Sequence, residues 1–104
     1  MTNIKEFTLL VEDEKYIEAH EVLEHDWIEF KKTGESKKAK LYKALINGAT
    51  SIALYKMNRS KRAVDITWGA FLKAKPLLEN IDIENKSDYY AVIDLLEKRE
   101  NSLV

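Results

Sequence analysis

The segment at residues 36–57 constrains the fold most, because it is apolar around most of a helix. At about 100° per residue, its apolar side chains cover well over half of the circumference and leave a narrow polar strip. The apolar positions are Leu41, Tyr42, Leu45, Ile46, Gly48, Ala49, Ile52, Ala53 and Tyr55, and the strip contains Lys40, Lys43, Asn47 and Ser51. A helix that is apolar over so wide an arc is usually central to its domain. Gly48 and Ala49 in its middle predict a close approach by the backbone of a neighbouring element.

Other helices are predicted on both sides of this central one. Apolar spacing indicates helices at residues 3–12 and 16–32, a fourth from about residue 61, and a last one at residues 88–100. The chain has only three glycines and one proline, which favours long helices over the many turns of an all-β fold. No strand pattern is present. The prediction is one all-α domain over residues 1–104, a compact bundle of about five antiparallel helices.

Turn and capping residues mark the ends of these helices. Gly34 and Asn58 suit the left-handed conformation that follows a helix, and Ser60 and Ser87 suit the position before one. Pro76 lacks an amide donor, so the fourth helix should end or kink near residues 71–75. Residues 81–86 are predicted to be a linker.

Composition narrows the class of protein. The chain has no cysteine, which excludes a disulfide framework and thiolate metal sites and fits a reducing compartment. No apolar run approaches the roughly 20 residues of a membrane span. The first residues also lack the apolar core of a signal peptide. We therefore expect a cytoplasmic protein without a membrane partner.

Charge is unevenly distributed along the chain. Residues 12–29 contain eight acidic residues and one lysine, whereas residues 31–43 contain six lysines and one glutamate. The favoured interpretation is that two adjacent helices attract each other along their solvated flanks. Nucleic-acid binding is not expected, because no recognised binding motif accompanies the lysines.

Two histidines, His20 and His25, lie in an acidic helical segment that ends near Trp27. His20 falls inside the apolar stripe of this helix, and Glu24 lies at its edge. The stripe consists of Tyr16, Ala19, Leu23, Trp27 and Phe30. Burying an imidazole and a carboxylate costs a few kcal/mol unless each finds a partner. The candidate site residues are therefore His20, Glu21, Glu24 and Trp27.

Three interpretations of this group differ in chemistry. The favoured one is a structural network in which His20, Glu24 and Trp27 pin the second helix to the third, through Tyr42 or Asn47. A second is a metal or ligand site, since His20 and Glu24 are four residues apart and face the same way. A third makes His20 a general base, but no nucleophile in a recognisable context and no glycine-rich phosphate loop accompanies it. We expect no catalytic residue, no metal and no cofactor.

The second predicted helix resembles the signature of the bacterial and archaeal family called domain of unknown function 309. That signature has an aromatic residue, Glu-Ala-His-Glu, an acidic residue and a tryptophan, and the corresponding run is Tyr16-Ile17-Glu18-Ala19-His20-Glu21-Val22-Leu23-Glu24-x-x-Trp27. A second block, Ala44-Leu45-Ile46-Asn47-Gly48-Ala49, is similar to the buried helix of the family.

The resemblance covers about residues 5–80, with departures. Leu54 occupies the position of a family histidine, Asn58-Arg59 that of a Gly-Asn turn, and Arg62 that of a small residue. Without the second histidine, a histidine-rich metal site is less expected. The resemblance implies a compact helical bundle and no established activity.

A protein partner is the remaining expectation. The central helix has few elements to cover it, which predicts an apolar flank near Trp68, Phe71 and Leu78. Such a flank favours self-association, most simply a two-fold dimer to which the fourth and fifth helices contribute. The sequence thus predicts a non-catalytic interaction or binding module, with a metal- or ligand-binding protein as the alternative.

Overall fold

The computed structural model describes residues 3–103, which form six helices and no strand. They are α1 (Asn3–Glu12), α2 (Tyr16–Lys32), α3 (Ser36–Lys56), α4 (Lys61–Phe71), α5 (Ala74–Glu79) and α6 (Lys86–Asn101). The all-α prediction is confirmed. Met1, Thr2 and Val104, which the predicted domain includes, lie outside the described residues.

The structure has one helix more than predicted, because the region of the predicted fourth helix forms two helices. α4 ends at Phe71, and the chain turns through Leu72 and Lys73 before α5 begins at Ala74. The break was expected near residues 71–75, but the helical turn that follows it was not. Pro76 is the third residue of α5. It is tolerated there because the first amides of a helix have no acceptor within the helix.

Most of the predicted helix ends agree with the structure. Gly34 and Asn58 have φ angles of 78° and 57°, in the left-handed region. The Ser60 hydroxyl accepts a hydrogen bond from the Ala63 amide at 3.2 Å, as expected of an N-cap. At α6 the predicted N-cap, Ser87, was wrong. The helix begins at Lys86, so Ser87 lies inside it. Asn85, which has a φ angle of 59°, precedes the helix.

α3 lies in the centre of the bundle and packs against α2, α4, α5 and α6, while α1 packs against α2 and α6. Its buried residues include Leu41, Leu45, Ala49 and Ile52, none of which has exposed surface. One member of the predicted polar strip is also buried. Ser51 is 1% exposed and donates a hydrogen bond to the Val64 carbonyl of α4 at 3.0 Å.

At Gly48, side chains of two other helices lie close to α3. A Cβ atom at this position would lie 2.6 Å from Cδ1 of Phe71 and 3.1 Å from Cδ1 of Leu96. The close approach predicted at Gly48 is therefore present, although side chains of α4 and α6 make it rather than a backbone.

The apolar flank predicted on α4 and α5 is mostly buried. Phe71 is 1% exposed and Leu78 is fully buried, while Trp68 is partly buried with its ring centroid 4.6 Å from that of Phe71. The exposed apolar side chains of this region are instead Ile66 and Leu72. None of the described helices is long and apolar enough to cross a membrane.

Candidate functional site

His20 and Glu24 form a pair within α2. Nε2 of His20 lies 3.0 Å from Oε2 of Glu24, and Nδ1 lies 3.2 Å from the Ile17 carbonyl oxygen. The pair is not buried as expected, because the two side chains are 33% and 46% exposed. His20 lies at the edge of the apolar stripe, where the imidazole reaches along its own helix instead of into the core.

The predicted connection from this pair to α3 is not formed. No hydrogen bond joins His20 or Glu24 to α3 in residues 3–103. The Tyr42 hydroxyl is 2.8 Å from the Tyr89 hydroxyl of α6 instead, in a buried contact. Burial raises the pKa of both hydroxyls, and hydrogen bonding to Tyr89 raises the pKa of Tyr42 further.

Trp27 is the predicted site residue that does connect the two helices. The ammonium of Lys31, one turn along α2, lies 4.3 Å from the Trp27 ring centroid. The ammonium of Lys43, from α3, lies 4.4 Å from it. Each cation is attracted to the π electrons of the indole. Two positive charges are thereby held beside one aromatic ring.

Lys43 also lines a groove between α3 and the α4–α5 region, which we call the basic groove. Its volume is about 660 Å3, and its lining consists of Lys40, Lys43, Ala44, Asn47, Ala70, Lys73, Pro76, Leu77 and Asn80. Alanine, proline and leucine side chains provide apolar surface, three lysines provide the charge, and no carboxylate is among the lining residues. Lys40 and Lys73 form no ion pair within the described part of the chain.

The sequence did not reveal the basic groove. Lys40, Lys43 and Asn47 were recognised as a polar strip of the central helix, but Lys73 and Leu77 come from the turn before α5 and from α5, a helix that was not predicted. The spacing of Lys40, Lys43 and Asn47 was the only signal available.

Glu21 lies on the opposite, outer side of α2 from the apolar stripe, and its side chain is exposed. We call this surface the acidic ridge. It consists of Ile17, Glu18, Glu21, His25, Ile28, Glu29 and Lys32, all of them exposed. Ile17 is 49% and Ile28 38% exposed, so the ridge carries apolar side chains among its charged ones. The three glutamates form no ion pair within residues 3–103.

A second concavity, a polar cleft of about 560 Å3, lies where the start of α6 meets α1 and α2. Carboxylates from separate parts of the chain line it, and they are Asp26, Asp82, Glu84 and Asp88. The Asp26 carboxylate already has a partner, since it accepts a hydrogen bond from the side-chain amide of Asn3 at 2.8 Å. Neither here nor elsewhere in the described residues do three or more His, Cys, Asp or Glu side chains form a group that could hold a metal ion.

These features define a small all-α protein with a basic groove on one surface and an acidic ridge on another. The chain belongs to the family described as Domain of unknown function (DUF309), whose model matches residues 4–66. The match includes α1 to α3 and ends inside α4, short of the expected residue 80, so that α5 lies outside it. No curated protein and no solved structure matches the chain.

Proposed function

We propose that this protein is a non-catalytic interaction module whose basic groove binds an acidic, partly apolar helical segment of a protein. The observation that carries the proposal is the lining of the groove, which combines apolar side chains with three lysines that form no ion pair in residues 3–103. Helix-in-groove recognition requires this combination, because apolar anchors supply the buried area and flanking charges fix the orientation.

The charges of the groove favour an anion over any other occupant. Lys40 and Lys73 have no counter-ion within residues 3–103, and Lys43 is held beside Trp27, close to the ammonium of Lys31. Like charges held near one another raise the local positive potential, which an approaching carboxylate lowers. The aliphatic stems of the lysines can cover apolar parts of the same partner.

A metal or ligand site at His20 and Glu24 has less support. Both ring nitrogens of His20 already have an oxygen within 3.2 Å, and one of these oxygens belongs to Glu24. In the proposed module the pair stabilises α2, and Trp27 helps to position Lys43 at the groove. We place this function in the cytoplasm, a compartment that the absence of cysteine suits.

Fluorescence anisotropy with a designed peptide tests the proposal. The probe is a short labelled helical peptide with leucines at i, i+4 and i+7 and glutamates beside them. We expect saturable binding that weakens about tenfold, or roughly 1.4 kcal/mol, when Lys40→Glu and Lys73→Glu reverse the groove charge. Salt at about 1 M, where the Debye length is roughly 3 Å, should weaken binding as well.

The matched control is the double variant Arg62→Glu with Lys75→Glu. Both positions are exposed, neither lines the basic groove, and the net charge changes by the same amount. This control should bind the peptide like the wild type. Equal binding by the groove-reversed protein, or equal binding of a peptide with lysine in place of glutamate, would contradict the proposal.

A further inference from the structure

We infer that the helical segment bound in the basic groove is α2 of a second copy of this chain, so that two chains form a two-fold dimer by exchanging acidic ridges. The inference rests on the proposed function of the groove and names its partner. It uses two surfaces of one molecule that the fold leaves unpaired.

The acidic ridge has the composition that the groove requires. Ile17 and Ile28 are separated by 11 positions, so at 100° per residue they lie within about 20° of each other and roughly 16 Å apart along the helix. Glu21 lies between them on the same side, and Glu18 and Glu29 flank them. This surface therefore presents two apolar anchors and three carboxylates beside His25 and Lys32, while the groove is lined by apolar side chains and three lysines.

Other exposed apolar side chains fit the groove less well. Tyr55, Met57 and Ile66 are 42%, 48% and 61% exposed, but they lie close in sequence to Arg59 and Arg62 as well as to Lys56 and Lys61, which pair with Glu14 and Asp65. A basic surface would repel the lysines of the groove. Leu9 of α1 is 49% exposed, yet it is the only large apolar side chain on that helix that is exposed. Among the described surfaces, α2 combines two apolar anchors with the opposite charge.

The two surfaces belong to different helices of one molecule, the acidic ridge to α2 and the basic groove to α3 and the α4–α5 region. With a two-fold axis between them, each chain inserts its ridge into the groove of the other. The contact is then made twice and leaves no free copy of either surface, unlike a head-to-tail filament.

A charge exchange tests the dimer. In sedimentation equilibrium at micromolar concentration, wild type should have the mass of a dimer. The groove-reversed variant (Lys40→Glu, Lys73→Glu) should be monomeric, as should a ridge-reversed variant (Glu18→Lys, Glu21→Lys), because each would face like charge at both contacts. An equimolar mixture should restore a dimer, since the acidic groove of one chain attracts the basic ridge of the other.

Native mass spectrometry then identifies the restored species, with one variant labelled uniformly with 15N because exchanging lysine and glutamate hardly changes the mass of a chain. The expected result is a heterodimer at least about tenfold more abundant than either homodimer. The inference is overturned if wild type is monomeric at high-micromolar concentration, if the mixture stays monomeric, or if the Arg62→Glu, Lys75→Glu control dissociates as the groove-reversed variant does.

Failure of the inference and failure of the proposed function give different results. If wild type is monomeric but binds the acidic peptide through Lys40 and Lys73, the groove accepts a foreign helix and only the inference is wrong. If charge reversal of the groove changes neither the mass nor peptide binding, both are wrong.

Discussion

At the residue scale, Gly48 packs closely against side chains of two other helices. A methyl group there would lie 2.6 Å from Phe71 and 3.1 Å from Leu96, both of which are buried and belong to other helices. Neither neighbour is a flexible end at the surface, so the clash cannot be relieved without moving α4 or α6.

We expect Gly48→Ala to lower the free energy of unfolding by about 1–3 kcal/mol, the usual cost of overpacking a core. Urea denaturation followed by circular dichroism measures it. Gly69→Ala is the matched control, because nothing lies within 4 Å of a Cβ atom there and α4 continues on both sides. Alanine should stabilise that helix by about 0.5–1 kcal/mol. Stabilisation by both substitutions would contradict the packing described at Gly48.

His20 illustrates what could be predicted for a single residue. Helical periodicity placed it inside the apolar stripe with Glu24 at the edge, whereas in the structure His20 itself lies at the edge of the stripe. Its exposure could not be predicted, because a position at the edge of a stripe is buried or solvated according to how the neighbouring helix is tilted. In the structure it is 33% exposed. An exposed ion pair of this i,i+4 type contributes roughly 0.3–0.5 kcal/mol, less than a buried network would.

At the scale of single elements, two serines were predicted to cap helices, and only one of them does. Ser60 accepts a hydrogen bond from the Ala63 amide at the start of α4, whereas Ser87 is the second residue of α6 and makes no capping bond there. Both are exposed.

Ser60→Ala should lower the free energy of unfolding by about 1 kcal/mol, since an amide at the helix start loses its acceptor. Ser87→Ala should be neutral or slightly stabilising, because alanine is the better helix former inside a helix. Thermal and urea midpoints of the two variants, compared with wild type, provide the measurement. A larger loss in Ser87→Ala than in Ser60→Ala would show that the cap assignment is wrong.

The helices that were predicted best are those with the longest periodic pattern. α1, α2 and α3 agree with the predicted residues 3–12, 16–32 and 36–57 to within one residue. α5 was missed because six residues give too little pattern, and because Pro76 is compatible with a first turn as well as with a break. α6 begins two residues before the predicted residue 88. Asn85, which precedes it, has a left-handed conformation that asparagine tolerates but does not require.

At the scale of the whole molecule, the Tyr42–Tyr89 contact makes stability depend on alkaline pH. Burial raises the pKa of both hydroxyls in the folded chain, whereas in the unfolded chain a tyrosine ionises near pH 10. Below that pH both states keep these protons. Above it the unfolded chain loses them first, so the stability that the pair contributes declines as pH rises.

We expect the double variant Tyr42→Phe, Tyr89→Phe to lose less stability than wild type between about pH 9 and pH 11. Each tyrosine that ionises only on unfolding contributes a slope of up to about 1.4 kcal/mol per pH unit. Urea unfolding at both pH values gives the comparison, and the effects of lysine ionisation are common to the two proteins. Parallel losses would mean that the two hydroxyls ionise readily in the folded state.

The basic groove was the feature that the sequence predicted least, because it forms between segments that are distant in sequence. Its walls come from α3 and from the region of Ala70 to Asn80, which are distant in sequence. No periodicity within one segment shows which faces of two helices will border the same space. The acidic ridge, by contrast, lies on one helix, where helical periodicity alone places Glu21 opposite the apolar stripe.

One wall of the basic groove has a consequence for binding strength. α5 has only six residues, too few to persist as an isolated helix in water, and it depends on burial of Ala74 and Leu78 for its structure. Local opening of this helix would remove Pro76 and Leu77 from the groove without unfolding the rest of the bundle. A partner that binds only the closed wall must then supply the free energy that orders it. For the proposed partner, the affinity would then depend in part on the fraction of time that α5 is formed.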